Sequence, residues 1–199
     1  MLRKSILYVL VNLTIITLSS CRNGYRIEGD VDMYGYEGEK LSLVVFNGHR
    51  FLTIDSCYVH HGVFEMEGRA DSVVLAVLCR YMQPIMPLFI EKGKIKVSVK
   101  NTELMASGTR QNNLLYGFLE KKTEFDNRFE DLIQRRNSSD FYGRDDSINM
   151  VIRETENYIY NFVSRHYNEP SGLSVFSMMC NALPGHELTP LIRRILDNA

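Results

Sequence analysis

Apolar and polar residues alternate with a two-residue period from Tyr25 to about Val99, and with a helical period after Gly108. Tyr25-Arg26-Ile27-Glu28-Gly29 alternates, Lys40–Phe46 is a β-branched run closed by a turn at Asn47-Gly48, and Phe51–Val59 follows. His60-His61-Gly62 reads as a tight turn, with Val63–Gly68 as a hairpin partner. Ser72–Tyr81 is nearly all apolar, which predicts a strand buried on both faces. Pro84 and Pro87 confine the next segment to a sheet edge or a loop, because proline cannot donate to a ladder. Pro87–Ile90, the turn Glu91-Lys92-Gly93 and Lys94–Val99 predict a last hairpin. About seven short strands at this spacing specify an antiparallel β-sandwich or barrel.

Beyond Gly108, Leu114, Leu115, Phe118, Leu119, Phe125, Phe129, Leu132 and Ile133 recur at helical spacing between charged residues. The polar stretch Asn137–Asp146, with Gly143, reads as a loop. Ile148, Val151, Ile152, Thr155, Ile159, Phe162 and Val163 predict a second amphipathic helix. Pro170-Ser171-Gly172 ends the following link, and Leu173–Leu183 is a third helix stopped by Pro184-Gly185. Thr189-Pro190 predicts the N-cap and first-turn proline of a short last helix through Leu196. Strands first and helices second make the chain α+β. It divides into residues 1–20, a β domain over 21–106 and a helical segment over 107–199.

The first twenty residues have a different pattern. Arg3 and Lys4 precede an apolar stretch from Ile6 to Leu18, and Leu18-Ser19-Ser20-Cys21 ends it. The apolar run falls short of the roughly 20 residues that span a bilayer, which favours a cleaved signal over an anchor helix. The tetrapeptide resembles the bacterial lipobox at every position. That resemblance implies cleavage before Cys21 and acylation of its thiol, with a membrane partner reached through the N-terminal lipid. No aspartate or acidic cluster follows Cys21, so the expected location is the outer membrane, facing the periplasm.

Removing residues 1–20 leaves 179 residues carrying 21 basic and 24 acidic side chains, a net of −3. This balance gives no basis for nucleic-acid binding. With Cys21 acylated, Cys57, Cys79 and Cys180 remain. Cys57 and Cys79 each sit in a strand-like run and are a possible disulfide pair across a sheet; three buried thiols are the alternative. No Cys-x-x-Cys is present, so thioredoxin-type chemistry has no motif here.

Few residues suggest other chemistry. Asp55-Ser56 reads as a polar pair in a strand, with Asp55 bonding a neighbouring turn. His60 and His61, even with His49 nearby, are poorly placed to share a metal ion, because neighbours on a strand face opposite ways. Glu91-Lys92-Gly93-Lys94 reads as turn chemistry, with Gly93 at positive φ. Ser107-Gly108-Thr109 and Asn112-Asn113 form a loop entering a helix, with Thr109 as its cap. Tyr34, Tyr36, Phe46, Tyr58, Tyr81 and Tyr116 offer a glycan-binding face, although most are expected in the core. No catalytic, metal or cofactor site is assigned.

Several fragments belong together: Ile54-Asp55-Ser56, Gly62-Val63-Phe64, Glu67-Gly68, Pro87-Leu88-Phe89-Ile90-Glu91-Lys92-Gly93-Lys94-Ile95, Ser107-Gly108-Thr109 and Asn112-Asn113. Their order resembles the domain of unknown function found N-terminal to the thioredoxin domain in lipid-anchored, thioredoxin-like thiol–disulfide oxidoreductases of Gram-negative bacteria. The resemblance covers Tyr25 to Phe118 and continues more loosely to Leu183. In those relatives a thioredoxin domain with its Cys-x-x-Cys follows, whereas this sequence ends at Ala199, as a stand-alone version or the leading half of a split or truncated gene. The reading is therefore an accessory or interaction module without its own catalytic centre, partnered by a separate thioredoxin-like protein. Two alternatives stay open: a component or remnant of an oxidoreductase using Cys57, Cys79 or Cys180, and a carbohydrate-binding lipoprotein.

Overall fold

The computed structural model describes residues 24–137 and 146–197. Among the described residues eight strands precede four α-helices, so the fold is α+β. The chain divides into two compact units, with the division between Leu104 and Met105.

The strands are β1 (Gly24–Asp32), β2 (Lys40–Phe46), β3 (Phe51–Tyr58), β4 (Val63–Arg69), β5 (Val74–Arg80), β6 (Gln83–Ile90), β7 (Gly93–Lys100) and β8 (Leu104–Ser107). They form two four-stranded sheets, β4-β1-β7-β8 and β3-β2-β5-β6. In the first, alternation separates the faces. Ile27, Val31, Phe64, Met66, Ile95, Val97 and Val99 are buried, while Arg26, Glu28, Glu65 and Lys94 pair on the solvent side. In the second, Leu43 and Leu78 pair in register, as do Leu78 and Met86, and all three are buried.

Three features depart from the expected hairpins. β1 pairs antiparallel with β4 but parallel with β7, so the first sheet is mixed, not antiparallel. The expected hairpin over Pro87–Val99 is split: β6 is the edge of one sheet and β7 joins the other, with Gly93 at φ 123° where the chain crosses. The physical reason is the apolar row Ile95, Val97, Val99, which lies in register beside β1 at Ile27 and Val31. Likewise His60-His61-Gly62 is a tight turn, with His61 and Gly62 at positive φ, but it links strands of different sheets. Only the single bridge His60–Val63 closes it.

Two other expectations concern the second sheet. Pro84 and Pro87 lie in β6, an edge strand. The strand expected over Ser72–Tyr81 to be buried on both faces is so only toward its end: Leu78 and Cys79, on opposite faces of central β5, are buried, but Val73, Val74 and Leu75 are exposed. One polar contact also ties the sheets together: Tyr25 Oη donates to Asp55 Oδ2 at 2.8 Å. Burial and this bond push the Tyr25 phenol far above its ordinary pKa. Tyr25→Phe leaves the Asp55 oxygen without its donor and should cost about 1–2 kcal/mol. Urea unfolding of the variant beside the parent measures it.

The second unit contains α1 (Arg110–Asn137), α2 (Asp146–His166), α3 (Pro170–Met179), a 3₁₀ turn (Cys180–Ala182) and α4 (Gly185–Leu196). Leu115, Phe118, Ile159, Val163, Val175 and Leu191 are among its most deeply buried apolar residues. Phe118 stacks on Tyr158 at 5.3 Å and meets Phe162 at 4.8 Å. The expected loop Asn137–Asp146 falls mostly outside the described residues. Pro170-Ser171-Gly172 is the first turn of α3, not the end of a link. The last helix starts at Gly185, so Pro190 lies inside it and Thr189 bonds back to the Gly185 carbonyl instead of capping.

Candidate functional site

Cys21 lies outside the described residues. The other three cysteines are free. Of the two alternatives, the possible Cys57–Cys79 pair does not form, and the register explains why. Cys57 is opposite Leu41 and Cys79 is opposite Ser42, so the two thiols point to opposite faces with β2 between them. Burial, and secondarily the Asp55 charge, push the Cys57 thiol up to about 11. Burial also raises Cys79. Since the thiolate is the reactive form, a neutral-pH titration with a thiol reagent should modify Cys180 first. Cys57 and Cys79 should react only after denaturation.

Asp55 bonds Tyr25 of the other sheet, not a neighbouring turn, while its other oxygen takes the Ser56 amide at 2.7 Å. His61 and its turn are held by Glu37, whose carboxylate accepts the amides of His61 and Gly62 at 3.0 and 3.3 Å. Those bonds, the His61 amide foremost, lower the Glu37 pKa. Among the described residues no group of three metal-ligating side chains converges.

At the Ser107–Asn113 stretch, Thr109 directly precedes α1 and its carbonyl accepts the Asn113 amide at 2.9 Å. Its hydroxyl accepts from the fully buried Asn112 side chain, and Gly108 donates to Asn113 Oδ1. At the first two residues of α1, a polar network absent from the sequence reading begins. Arg110 donates to Glu169 through Nε and Nη2, both at 2.9 Å, and Gln111 Nε2 adds 3.2 Å. His166 Nδ1 lies 2.9 Å from the same carboxylate, and Gln111 Oε1 accepts the buried Ser171 amide. The Arg110 bonds, with those of His166 and Gln111, bring Glu169 down to about 2 despite its burial. This arrangement clamps the start of α1 to the α2–α3 corner. It is a structural device.

The aromatic residues are distributed differently from the expectation. Tyr36 and Tyr116 are buried, but Tyr34, Phe46, Tyr58 and Tyr81 are exposed. Around Tyr36, one end of the β3-β2-β5-β6 sheet gathers a polar–aromatic cluster. The Arg80 guanidinium lies 4.5 Å from the Tyr36 ring centroid and 5.3 Å from that of Tyr81. It also sits 3.5 Å from Glu39. A hydrogen bond to Glu39 raises the Tyr81 pKa. Tyr81 and Met82, the two central residues of the β5–β6 turn, have φ of 51° and 63°. Hairpin turns of this kind ordinarily carry Asn-Gly. Side chains with a Cβ cost about 1–2 kcal/mol each there.

No curated protein and no solved structure matches the chain. Residues 25–115, running from β1 through β8 into the first turns of α1, match the family model of a domain of unknown function, DUF4369.

Proposed function

We propose that the chain is a lipid-anchored accessory module of the bacterial outer membrane, facing the periplasm, which works by binding a partner protein. The observation carrying this reading is the position of Leu18-Ser19-Ser20-Cys21: only Arg22 and Asn23 separate the cysteine from β1 at Gly24. Cleavage before Cys21 leaves the acylated residue just ahead of β1 in the sequence. Two or three acyl chains, each methylene adding about 0.8 kcal/mol of membrane affinity, hold such a protein far more firmly than one myristoyl chain.

Binding is favoured over redox chemistry by the raised thiols Cys57 and Cys79. The resemblance to domains that precede thioredoxin folds makes a separate thioredoxin-like protein the first partner to test. Membrane fractionation after alkyne-palmitate feeding tests the anchor: the parent should carry label in the outer-membrane fraction, and Cys21→Ser should carry none. Equal labelling of the two would overturn it.

A further inference from the structure

We propose that the tip of the β2–β3 hairpin, where Phe46 and Phe51 stand exposed, rests in the interface of the lipid bilayer that holds Cys21. This deepens the anchoring reading and rests on it. Three observations favour a membrane at this tip.

The first is where the chain enters the β domain. Residues 70–73 and 91–92 cross between the two sheets at the end where β1 begins, since Gly24 pairs with Arg69 and Tyr25 with Gly93. The β2–β3 hairpin lies at that same end, because Val45 pairs with Ala76 and Val74 with Ile90. Both β1 and β3 therefore start there, and the Tyr25–Asp55 bond aligns them. Phe51 is four residues before Asp55, and Cys21 is four residues before Tyr25. The rise of a strand carries Phe51 about 13 Å past the bond. Four residues of chain let Cys21 reach at most about 14 Å. The acylated residue and the hairpin tip can thus meet one plane.

The second is the character of the surface. Phe46 and Phe51 pair in register with ring centroids 5.2 Å apart, yet they are 59% and 69% exposed. Exposed Leu75, one step beyond the Val45–Ala76 pair, extends the row onto β5. None of these side chains has a polar end, whereas the opposite end of the β domain exposes Tyr34, Tyr58 and Tyr81. The tip is also braced: Asn47 Oδ1 accepts the His49 and Arg50 amides at 3.1 and 2.9 Å. A preorganised tip loses little freedom on insertion.

The third is charge. No carboxylate lies between Glu39 and Asp55, and Arg50 in the turn makes no ion pair among the described residues. In the two crossings at this end, Asp71 pairs with Arg69 at 3.9 Å and Glu91 is buried. The opposite end instead carries Asp32, Glu37 and Glu39 among its tyrosines. A bilayer interface takes apolar groups flanked by a cation that meets lipid phosphate, and it repels bare carboxylates.

The test uses the full chain expressed in bacteria, purified in detergent and reconstituted into phosphatidylethanolamine–phosphatidylglycerol vesicles, with or without bromine on the acyl chains. The sequence contains no tryptophan, so Phe51→Trp and Tyr81→Trp each introduce a single indole, at opposite ends of the β domain. The Phe51→Trp indole should emit to the blue and lose most of its intensity in brominated vesicles. The Tyr81→Trp indole should emit as in water and keep its intensity. Adding Phe46→Asp to Phe51→Trp should abolish the bromine quenching while the lipid keeps the chain on the vesicles. A purely structural pairing of the two rings would give no such change. Circular dichroism matching the parent's establishes that each variant is folded. Equal quenching at the two ends, or none at Phe51→Trp, overturns the proposal.

Flotation with the vesicles and the mass of the N-terminal peptide separate this failure from that of the anchor. Lipid on Cys21 without quenching at Phe51→Trp rejects the surface and leaves the anchor standing. Flotation and quenching without lipid on Cys21 reject the anchor and support the surface. A chain with neither lipid nor flotation rejects both.

Discussion

Gly172→Ala should unfold the helical unit or cost it about 3 kcal/mol or more, lowering its thermal midpoint by about 10 °C. A β-carbon at Gly172 would stand 1.9 Å from the His166 carbonyl oxygen and 2.4 Å from its carbon. Both are backbone atoms, so no rotamer change relieves the contact. The chain has just left α2, turned through Glu169, whose amide donates to that same His166 carbonyl at 2.9 Å, and entered α3. Opening the corner would pull Glu169 away from Arg110 and Gln111 and would lift buried Val175 out of the core. Gly117→Ala is the matched control. It lies in α1 with nothing within 4 Å of its added β-carbon, and it should stabilise by about 0.5–1 kcal/mol through reduced unfolded-state entropy. Melting curves followed by helical circular dichroism should move in opposite directions for the two variants.

Glu169→Gln should cost about 2 kcal/mol at neutral pH, because charge-assisted hydrogen bonds to Arg110, Gln111 and His166 converge on a carboxylate only 19% exposed. Arg110 is itself 68% exposed, which holds the figure below that of a fully buried pair. The pH dependence has a definite sign. Glu169 titrates at about 2 in the folded chain and at 4.5 as an ordinary glutamate. Its contribution is present above pH 4.5 and disappears as the pH falls toward 2. Denaturant midpoints of parent and variant, measured from pH 7 downward, should therefore approach one another over that window. A constant gap down to pH 2 would remove Glu169 from this role.

What the sequence revealed depended on how local the determining physics was. Lys40–Phe46 and Val63–Gly68 announce themselves because alternation and β-branching act within a few residues, and the two strands lie where expected. The pairing of β1 with β7 does not: seventy residues separate Ile27 from Ile95 along the chain, roughly, and no turn signal encodes a parallel partner. The same reasoning applies to the cysteines. Strand propensity at Cys57 and Cys79 was readable, but the insertion of β2 between their strands was not. Glu169 before Pro170 carried a readable sign, a carboxylate preceding a first-turn proline. Its partners Arg110 and Gln111 come from the start of α1, distant in the sequence, and left no trace in the pattern. The Tyr81-Met82 turn was hidden because its residues contradict the local preference for Asn-Gly.

The anchor at Cys21 is the central claim, and the mass of the mature N-terminal peptide tests it most directly. The account predicts that the protein purified from membranes begins at Cys21 and carries diacylglycerol on its thiol, and that Cys21→Ser remains an uncleaved precursor. A mature chain that begins elsewhere, or begins at Cys21 with no lipid mass, would contradict it.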